Sequence, residues 1–317
     1  MKDAFNRIVI AGAGVMGTSI AQLFARYGYS VSIYDISGSA LFKCRELMAL
    51  NQDSEIRAGN MSVNEAETVR ENICFSQTKD CFGHADLVVE AIAENMDIKH
   101  FFWREISEIV PEGAVLTTNT SGLSITEIAK AVKRPERFCG MHWLNPPHIC
   151  PLIEVIGGEK TEEDTLEKVR QAGIALGRVP VVLNKEVQGF LINRFQFAIL
   201  REAMSLVEEG VAKKEDIDNV FKYGLGLRYA CLGPFEIADL GGLDTFCQIA
   251  KYLFRDLCDT KQVHRMLTDL VEDGCFGVKS EKGFYDYSGG RAAEVIQKRD
   301  QDFLKVSKCL YGNSETE

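Results

Sequence analysis

Arg7-Ile-Val-Ile-Ala-Gly12-Ala-Gly14-Val-Met-Gly17 decides the fold of the first half of this chain. Five residues of buried-strand character run directly into glycines spaced Gly-x-Gly-x-x-Gly. Helical composition follows over 18–27, with Ile20, Leu23 and Phe24 on one face. In that context each glycine has a physical role. Gly12 makes the tight turn, Gly14 lets a pyrophosphate approach the backbone, and Gly17 lets helix pack on strand. The helix N-terminus supplies N–H groups and partial positive charge to the phosphates, so Val15 and Met16 join the glycines as cofactor-binding positions. The next strand, 30–34, ends in Asp35. Its carboxylate suits the two ribose hydroxyls of NAD and repels a 2′-phosphate, and Ile36-Ser-Gly-Ser39 offers no arginine. The expected cofactor is NAD. A glycine-rich turn in another kind of α/β protein is the plain alternative.

Outward from this unit, helical patterns at 40–51 and 62–71 interrupt the strands, the second opened by the capping-box pattern Ser62-Val-Asn-Glu65. Strands return at 73–76, 87–91 and 115–118, with a helix at 97–110. Glu90 and Glu94 flank one strand end, and Lys99 stands where it can neutralise or orient Glu94. Asn119-Thr-Ser121 follows another strand end. Such positions lie on the ligand side of a doubly wound sheet, so Ser121 is a candidate for a substrate or nicotinamide oxygen. A turn or cap residue is its ordinary alternative.

The chemistry is expected in Phe138-Cys-Gly-Met-His142-Trp-Leu-Asn145-Pro-Pro-His-Ile-Cys-Pro-Leu-Ile-Glu154-Val-Ile156. An apolar strand end at 138–141 precedes a stiff, proline-rich loop at 143–151, and a second apolar strand follows at 152–156. Glu154 sits inside that strand between Ile153 and Val155, where a charge is costly to bury without a partner. His142 is the nearest titratable candidate. A carboxylate on one imidazole nitrogen fixes the tautomer and raises the basicity of the other, which gives a general base for a hydroxyl proton. A satisfied core histidine and a solvated glutamate are the alternative reading.

Beyond a helix at 162–176 and a strand at 179–183 no alternating pattern remains. A long helix is expected at 189–209, with Asn193 on its first turns, then helical segments at 215–223, 242–259, 263–273 and 292–306. Gly224 to Glu236 reads as a glycine-rich turn between two of them. The fold class is therefore an α/β Rossmann-type N-terminal domain, residues 1–185, plus an all-α C-terminal domain, residues 186–317, with the ligand in a cleft between them.

Composition excludes other classes. A net charge of −10 over 317 residues argues against nucleic acid or an anionic membrane as the partner. Ten cysteines without a Cys-x-x-Cys pair, and five histidines without ligand spacing, read as reduced cytoplasmic thiols and not as a zinc or disulfide framework. No apolar run approaches the roughly 18 residues that span a bilayer.

Further motifs carry a resemblance: Val89-Glu-Ala-Ile-Ala-Glu94-Asn with Lys99, His142-Trp-Leu-Asn145-Pro, Leu152-Ile-Glu154-Val-Ile, Gly189-Phe-Leu-Ile-Asn193-Arg, Gly233-Pro-Phe-Glu-Ile-Ala-Asp239 with Gly242-Leu-Asp244, and Lys282-Gly-Phe-Tyr-Asp286. Together with the glycine motif, Asp35 and Asn119-Thr-Ser121, their order and spacing resemble the 3-hydroxyacyl-CoA dehydrogenase family over almost the whole chain. The resemblance implies a Rossmann NAD domain, a helical dimerisation domain and hence a homodimer, and a His142–Glu154 dyad. It implies Ser121, Asn145 and Asn193 around the substrate carbonyl and nicotinamide, and Glu94 and Lys99 as cofactor contacts. Asn119 joins them as a cofactor-binding position.

Three departures bear on the substrate. The acyl-CoA enzymes usually carry two phenylalanines between this histidine and asparagine and one proline after it. His142-Trp-Leu-Asn-Pro-Pro147 looks more like the gulonate dehydrogenase, or lambda-crystallin, branch. Gly226-Leu-Arg228-Tyr-Ala also resembles that branch and carnitine dehydrogenase, whose substrates are free hydroxy acids. An arginine at such a place can bind a carboxylate bidentately, with a surface arginine as its ordinary alternative. The excursion between Lys43 and Lys79 holds no further lysine, only Arg45, Arg57 and Arg70, where acyl-CoA enzymes tend to be basic. Against this, Asp239 to Asp244 and the Lys-Gly-Phe-Tyr segment match the acyl-CoA branch better. The leading expectation is NAD-dependent oxidation of a short L-3-hydroxyacyl-CoA. The alternative is a free 3-hydroxy acid or related carboxylated alcohol held by Arg228. A non-catalytic NAD-binding structural protein is a third class, against which the intact His142–Glu154 pair speaks.

Overall fold

The computed structural model describes residues 5–57 and 59–311. The chain divides into two units, Met1–Arg194 and Phe195–Glu317. In the first, strands β1 (Arg7–Ala11), β2 (Ser30–Tyr34), β3 (Ile73–Ser76), β4 (Leu87–Glu90), β5 (Val115–Thr118), β6 (Phe138–Trp143), β7 (Leu152–Gly157) and β8 (Val179–Leu183) form one sheet in the order 3-2-1-4-5-6-7-8. Every pairing is parallel except β6 with β7.

Side-chain alternation builds a core on each face of the sheet. Ile8 and Ile10 enter one cluster with Ile20 and Phe24 of α1 (Val15–Arg26), Cys44 of α2 (Gly38–Arg57) and Val69 of α3 (Val63–Glu71). Val9 and Ala11 enter the other, with Trp103 and Ile106 of α4 (Met96–Ile109) and Ile125 and Ile128 of α5 (Ile125–Ala129). α6 (Glu163–Ala175) adds Val169 and Ala172 to the first cluster. The expected capping box forms, with Ser62 accepting from Glu65 N and Glu65 accepting from Ser62 N.

Several boundaries differ from expectation for identifiable reasons. α1 begins at Val15, so the third glycine lies inside the helix. α2 runs on to Arg57 because polar contacts carry it where apolar periodicity fades: Arg70 donates to Gln52 at 2.6 Å and Arg57 to Asp53 O at 3.1 Å. β6 continues through His142 and Trp143, since both pair across β7, with Glu154 and Ile153. The long helix α7 (Ile192–Glu208) starts late because Gly189 and Phe190 both have positive φ, 76° and 51°.

Of the second unit, the described residues form α8 (Lys214–Val220), α9 (Gly226–Cys231), α10 (Pro234–Gly241), α11 (Leu243–Asp256), α12 (Arg265–Glu272) and α13 (Arg291–Tyr311), together with most of α7. The expected glycine-rich turn at 224–236 is largely helix. A π-helical turn, Phe221–Leu225, leads straight into α9, and Pro234 starts α10 at its first position. The glycine penalty of about 1 kcal/mol per residue does not stop a helix continued from α8. Tyr285 of the Lys282-Gly-Phe-Tyr segment donates to Asp218 of α8 at 2.9 Å.

Candidate active site

Register lines the predicted residues up. Ala11 pairs with Tyr34 and with Glu90, Glu90 with Thr118, and Thr118 with Gly140. One residue past that row, at the C-terminal edge of the parallel strands, lie Asp35, Gly12, Ala91, Asn119 and Met141, with His142 next. This is the edge where doubly wound sheets bind ligands.

At the glycine loop the backbone is fixed by close approach. A Cβ on Gly12 would stand 2.4 Å from Ala91 O, and one on Gly17 would stand 1.9 Å from Gly12 O. Gly14 is the opposite case, with nothing within 4 Å of its Cβ position. Gly14 caps α1 without a side-chain bond, and no acid stands in the first turn. The helix thus offers N–H groups beside open space, as a pyrophosphate requires. Asp35 accepts from Ala13 N and Ser37 N, both at 2.9 Å, which aims its carboxylate beside the loop. These residues fit the dinucleotide that the motif implies.

Behind the strand ends lies an ion network that the sequence only half showed. Lys99 is fully buried and donates to Glu90 at 2.6 Å, while Glu94 stands at 3.4 Å. The expected Lys99–Glu94 pair is therefore the looser of two contacts. Glu90 also accepts from Thr118 Oγ1 at 2.7 Å and Ile92 N at 3.0 Å. Glu94 accepts from Thr120 Oγ1 at 2.6 Å and Ser121 N at 2.9 Å. Lys99 thus positions two carboxylates, and Glu94 in turn fixes the loop carrying Ser121. Asn119 Oδ1 accepts from Trp143 N at 2.8 Å, tying that loop to β6.

His142 and Glu154 are directly opposed across β6 and β7, on the same face. Nδ1 of His142 and Oε2 of Glu154 are 2.7 Å apart, with both side chains buried. The other carboxylate oxygen accepts from Leu191 N at 2.8 Å and Ile192 N at 3.0 Å, the first amides of α7. Burial alone would push the Glu154 carboxyl up. The His142 bond and the two amides outweigh it and hold the group below its ordinary value. Phe190 packs on the imidazole, ring centroids 5.6 Å apart. Asn193 donates to Ser121 O at 2.7 Å, so those two predicted residues meet. Asn145 is exposed on the loop, before a cis bond to Pro146. Arg228 is exposed on α9, in the second unit.

Sequence reasoning missed the roles of Thr118, Thr120 and the 191–192 amides. Gly189 before an apolar helix was the available signal for the amides; nothing marked the threonines. Among the described residues no cluster of three His, Cys, Asp or Glu could hold a metal ion, and no helix is long and apolar enough to cross a membrane.

Comparison with known proteins matches residues 7–187 to the 3-hydroxyacyl-CoA dehydrogenase NAD binding domain and 189–287 to the C-terminal domain of that family. The chain belongs to the 3-hydroxyacyl-CoA dehydrogenase family. It is an NAD-binding oxidoreductase with a Rossmann-type domain followed by a helical one. It is 35% identical over 309 residues to 5-formyl-3-hydroxy-2-methylpyridine 4-carboxylate 5-dehydrogenase of Mesorhizobium japonicum, covering 97% of this chain and 99% of the relative. A crystal structure of an enzyme of that name, described as an NAD+ dependent dismutase, superposes with a TM-score of 0.91 at 33% identity, covering 98% of this chain and 100% of the other. The 3-hydroxybutyryl-CoA dehydrogenase of Clostridioides difficile is 35% identical over 284 residues, covering 89% and 99%. The structure of (S)-3-hydroxybutyryl-CoA dehydrogenase from Ralstonia eutropha gives a TM-score of 0.76 at 32% identity, covering 90% and 100%.

Proposed function

We propose that this dehydrogenase acts on a small free carboxylic acid, interconverting a hydroxyl and an oxo group, with His142 as general base. The observation carrying this choice is the α2–α3 excursion. Its three arginines are already engaged. The Arg45 guanidinium lies 4.3 Å over the Phe75 ring, and Arg57 and Arg70 bond Asp53 O and Gln52. Beside them the excursion offers one further cation, the exposed Lys43 of α2, which is few for the phosphates of a CoA ligand. The Mesorhizobium relative, whose name states a carboxylate on its substrate, supports the same choice. Arg228, whose side chain is exposed and has no hydrogen bond or ion pair among the described residues, is the cation assigned to the carboxylate.

His142 Nε2, with Nδ1 held by Glu154, takes the proton from the substrate hydroxyl. Glu154 stabilises the imidazolium that forms. Ser121, Asn193 and Asn145 hold the oxygen and orient the reacting carbon. Bound NAD supplies the hydride acceptor. Gly12, Gly14, Val15, Met16 and Gly17 would hold its pyrophosphate and Asp35 a ribose. Glu94, Asn119 and Ser121 would face its nicotinamide half, with Lys99 acting through Glu94.

The second reading, a short 3-hydroxyacyl-CoA, is favoured by the 3-hydroxybutyryl-CoA dehydrogenases among the relatives. We further assign a homodimer, in which a second copy covers Phe235, Leu240, Phe246 and Phe254 of α10 and α11, and a cytoplasmic location, in keeping with cysteines that form no disulfide among the described residues.

NADH oxidation with a panel of free 3-oxo acids and with acetoacetyl-CoA, for wild type and Arg228→Ala, tests the choice. Turnover of free acids that falls at least ten-fold with the substitution is expected. Strong turnover of the thioester, unchanged in the variant, would assign the enzyme to acyl-CoA instead.

A further inference from the structure

A second nucleophile and base stand together within the second unit, apart from the dehydrogenase chemistry. Glu208, on the last turn of α7, accepts through Oε2 from His264 Nδ1 at 2.7 Å and through Oε1 from Met266 N at 2.9 Å. His264 is the N-cap residue of α12, and its side chain is only 8% exposed. Its Nε2 lies 3.8 Å from the sulfur of Cys258. Cys258 follows α11, and its backbone N–H is fixed by Glu202 Oε2 at 2.7 Å. A Ser205 hydrogen bond, the Thr260 backbone and His264 together hold the Cys258 thiol below its ordinary value. The Glu208 bond holds His264 above its own, against the opposing effect of burial. Nucleophile, base and orienting carboxylate are thus in sequence, as activated thiols require.

Cys258 also borders a groove of about 580 Å³, lined by Arg201, Glu202, Leu206, Asp216 and Phe221 among others. Nε of Arg201 is buried there and has no acceptor among the described residues. Arg201, whose Nη1 donates only a long bond to Thr260 O at 3.5 Å, favours negative charge at the groove, while Glu202 and Asp216 oppose it. An orphaned guanidinium N–H beside an activated thiol asks for a ligand with both an acidic group and a soft electrophilic atom.

We propose that Cys258 is a modification site for a low-molecular-weight disulfide carrying a carboxylate. His264 accepts the Cys258 proton. The thiolate sulfur bonds to one sulfur of the disulfide, the disulfide bond breaks, and its electron pair leaves on the second sulfur, which takes the proton from His264. Cys258 is oxidised to a mixed disulfide and one equivalent of free thiol is released. The carboxylate of the retained half meets Arg201.

The test uses oxidised glutathione on the full-length, reduced protein at pH 7, with peptide mass spectrometry of every cysteine. Cys74, Cys231, Cys247 and Cys309 are exposed and serve as internal references. Cys258 should react about ten-fold faster than these four, because His264 is placed to take its proton as the sulfur attacks. His264→Gln should abolish that advantage. Glu208→Gln, which keeps an acceptor for Met266 N–H and so the start of α12, should reduce it. A Cys258 rate no higher than the references, or one unchanged in a Glu208→Gln protein of normal melting temperature, overturns the proposal.

Discussion

The two units of this chain solve the burial problem differently. In the first, both faces of an eight-stranded sheet are covered, and Ile10, Leu87, Leu116, Phe138 and Ile153 are fully buried. In the second, Met204 is the one buried residue among those described, at 7% exposure, while Phe235 and Phe254 are 85% and 75% exposed. A sheet covered on both faces supplies its own core and holds charges such as Lys99 and Glu90 in fixed places. A set of amphipathic helices with open apolar faces needs another surface to close them. Rigid placement therefore belongs to the first unit and open apolar surface to the second.

Substitutions can break this contrast, beginning with the largest effect. His142→Gln should lower kcat by about a hundred- to ten-thousand-fold, the usual worth of a positioned base, with NAD affinity kept. Steady-state rates beside an NADH fluorescence titration check this, and unchanged turnover would remove His142 from the mechanism. Lys99→Met leaves Glu90 buried without its cation and should destabilise the protein by about 3–5 kcal/mol, read from chemical unfolding. Tyr285→Phe in the second unit removes one half-buried hydrogen bond and should cost about 1 kcal/mol. At the small end, Lys298→Met removes an exposed i, i+4 pair with Asp302 and should leave the melting temperature where it is. If Lys298→Met destabilised as much as Lys99→Met, the contrast between the units would be wrong.

Acid offers a finer probe. Because Glu154 is held below its ordinary 4.5, its contribution to stability is complete above that value. That contribution is lost as pH falls through the folded-state value, and Glu154→Gln should flatten this part of the stability–pH curve.

Much of the first unit was legible because its signals are local. The glycine spacing, Asp35 about twenty residues on, and an apolar strand interrupted by Glu154 each name a physical need within a few residues. What stayed hidden depends on register or on distant backbone. Nothing in the sequence pairs Lys99 with Glu90 more tightly than with Glu94, or aims the 191–192 amides at Glu154. The helices at 221–231 were hidden for another reason: glycines that read as breakers are tolerated where a preceding helix already sets the backbone. The contact division after Arg194 likewise lies beyond the expected boundary at 185, since two hydrogen bonds to Glu154 anchor the start of α7 to the first unit.

Those same two hydrogen bonds make the start of α7 a reporter. Glu154 shares its charge between an imidazole and two backbone amides, so any change at the His142 ring alters the pull on the residues that open α7. A substitution or an occupant at that ring should therefore be readable at the amides of Leu191 and Ile192. Both amides stand at the head of α7, the segment by which the chain leaves one unit and enters the next.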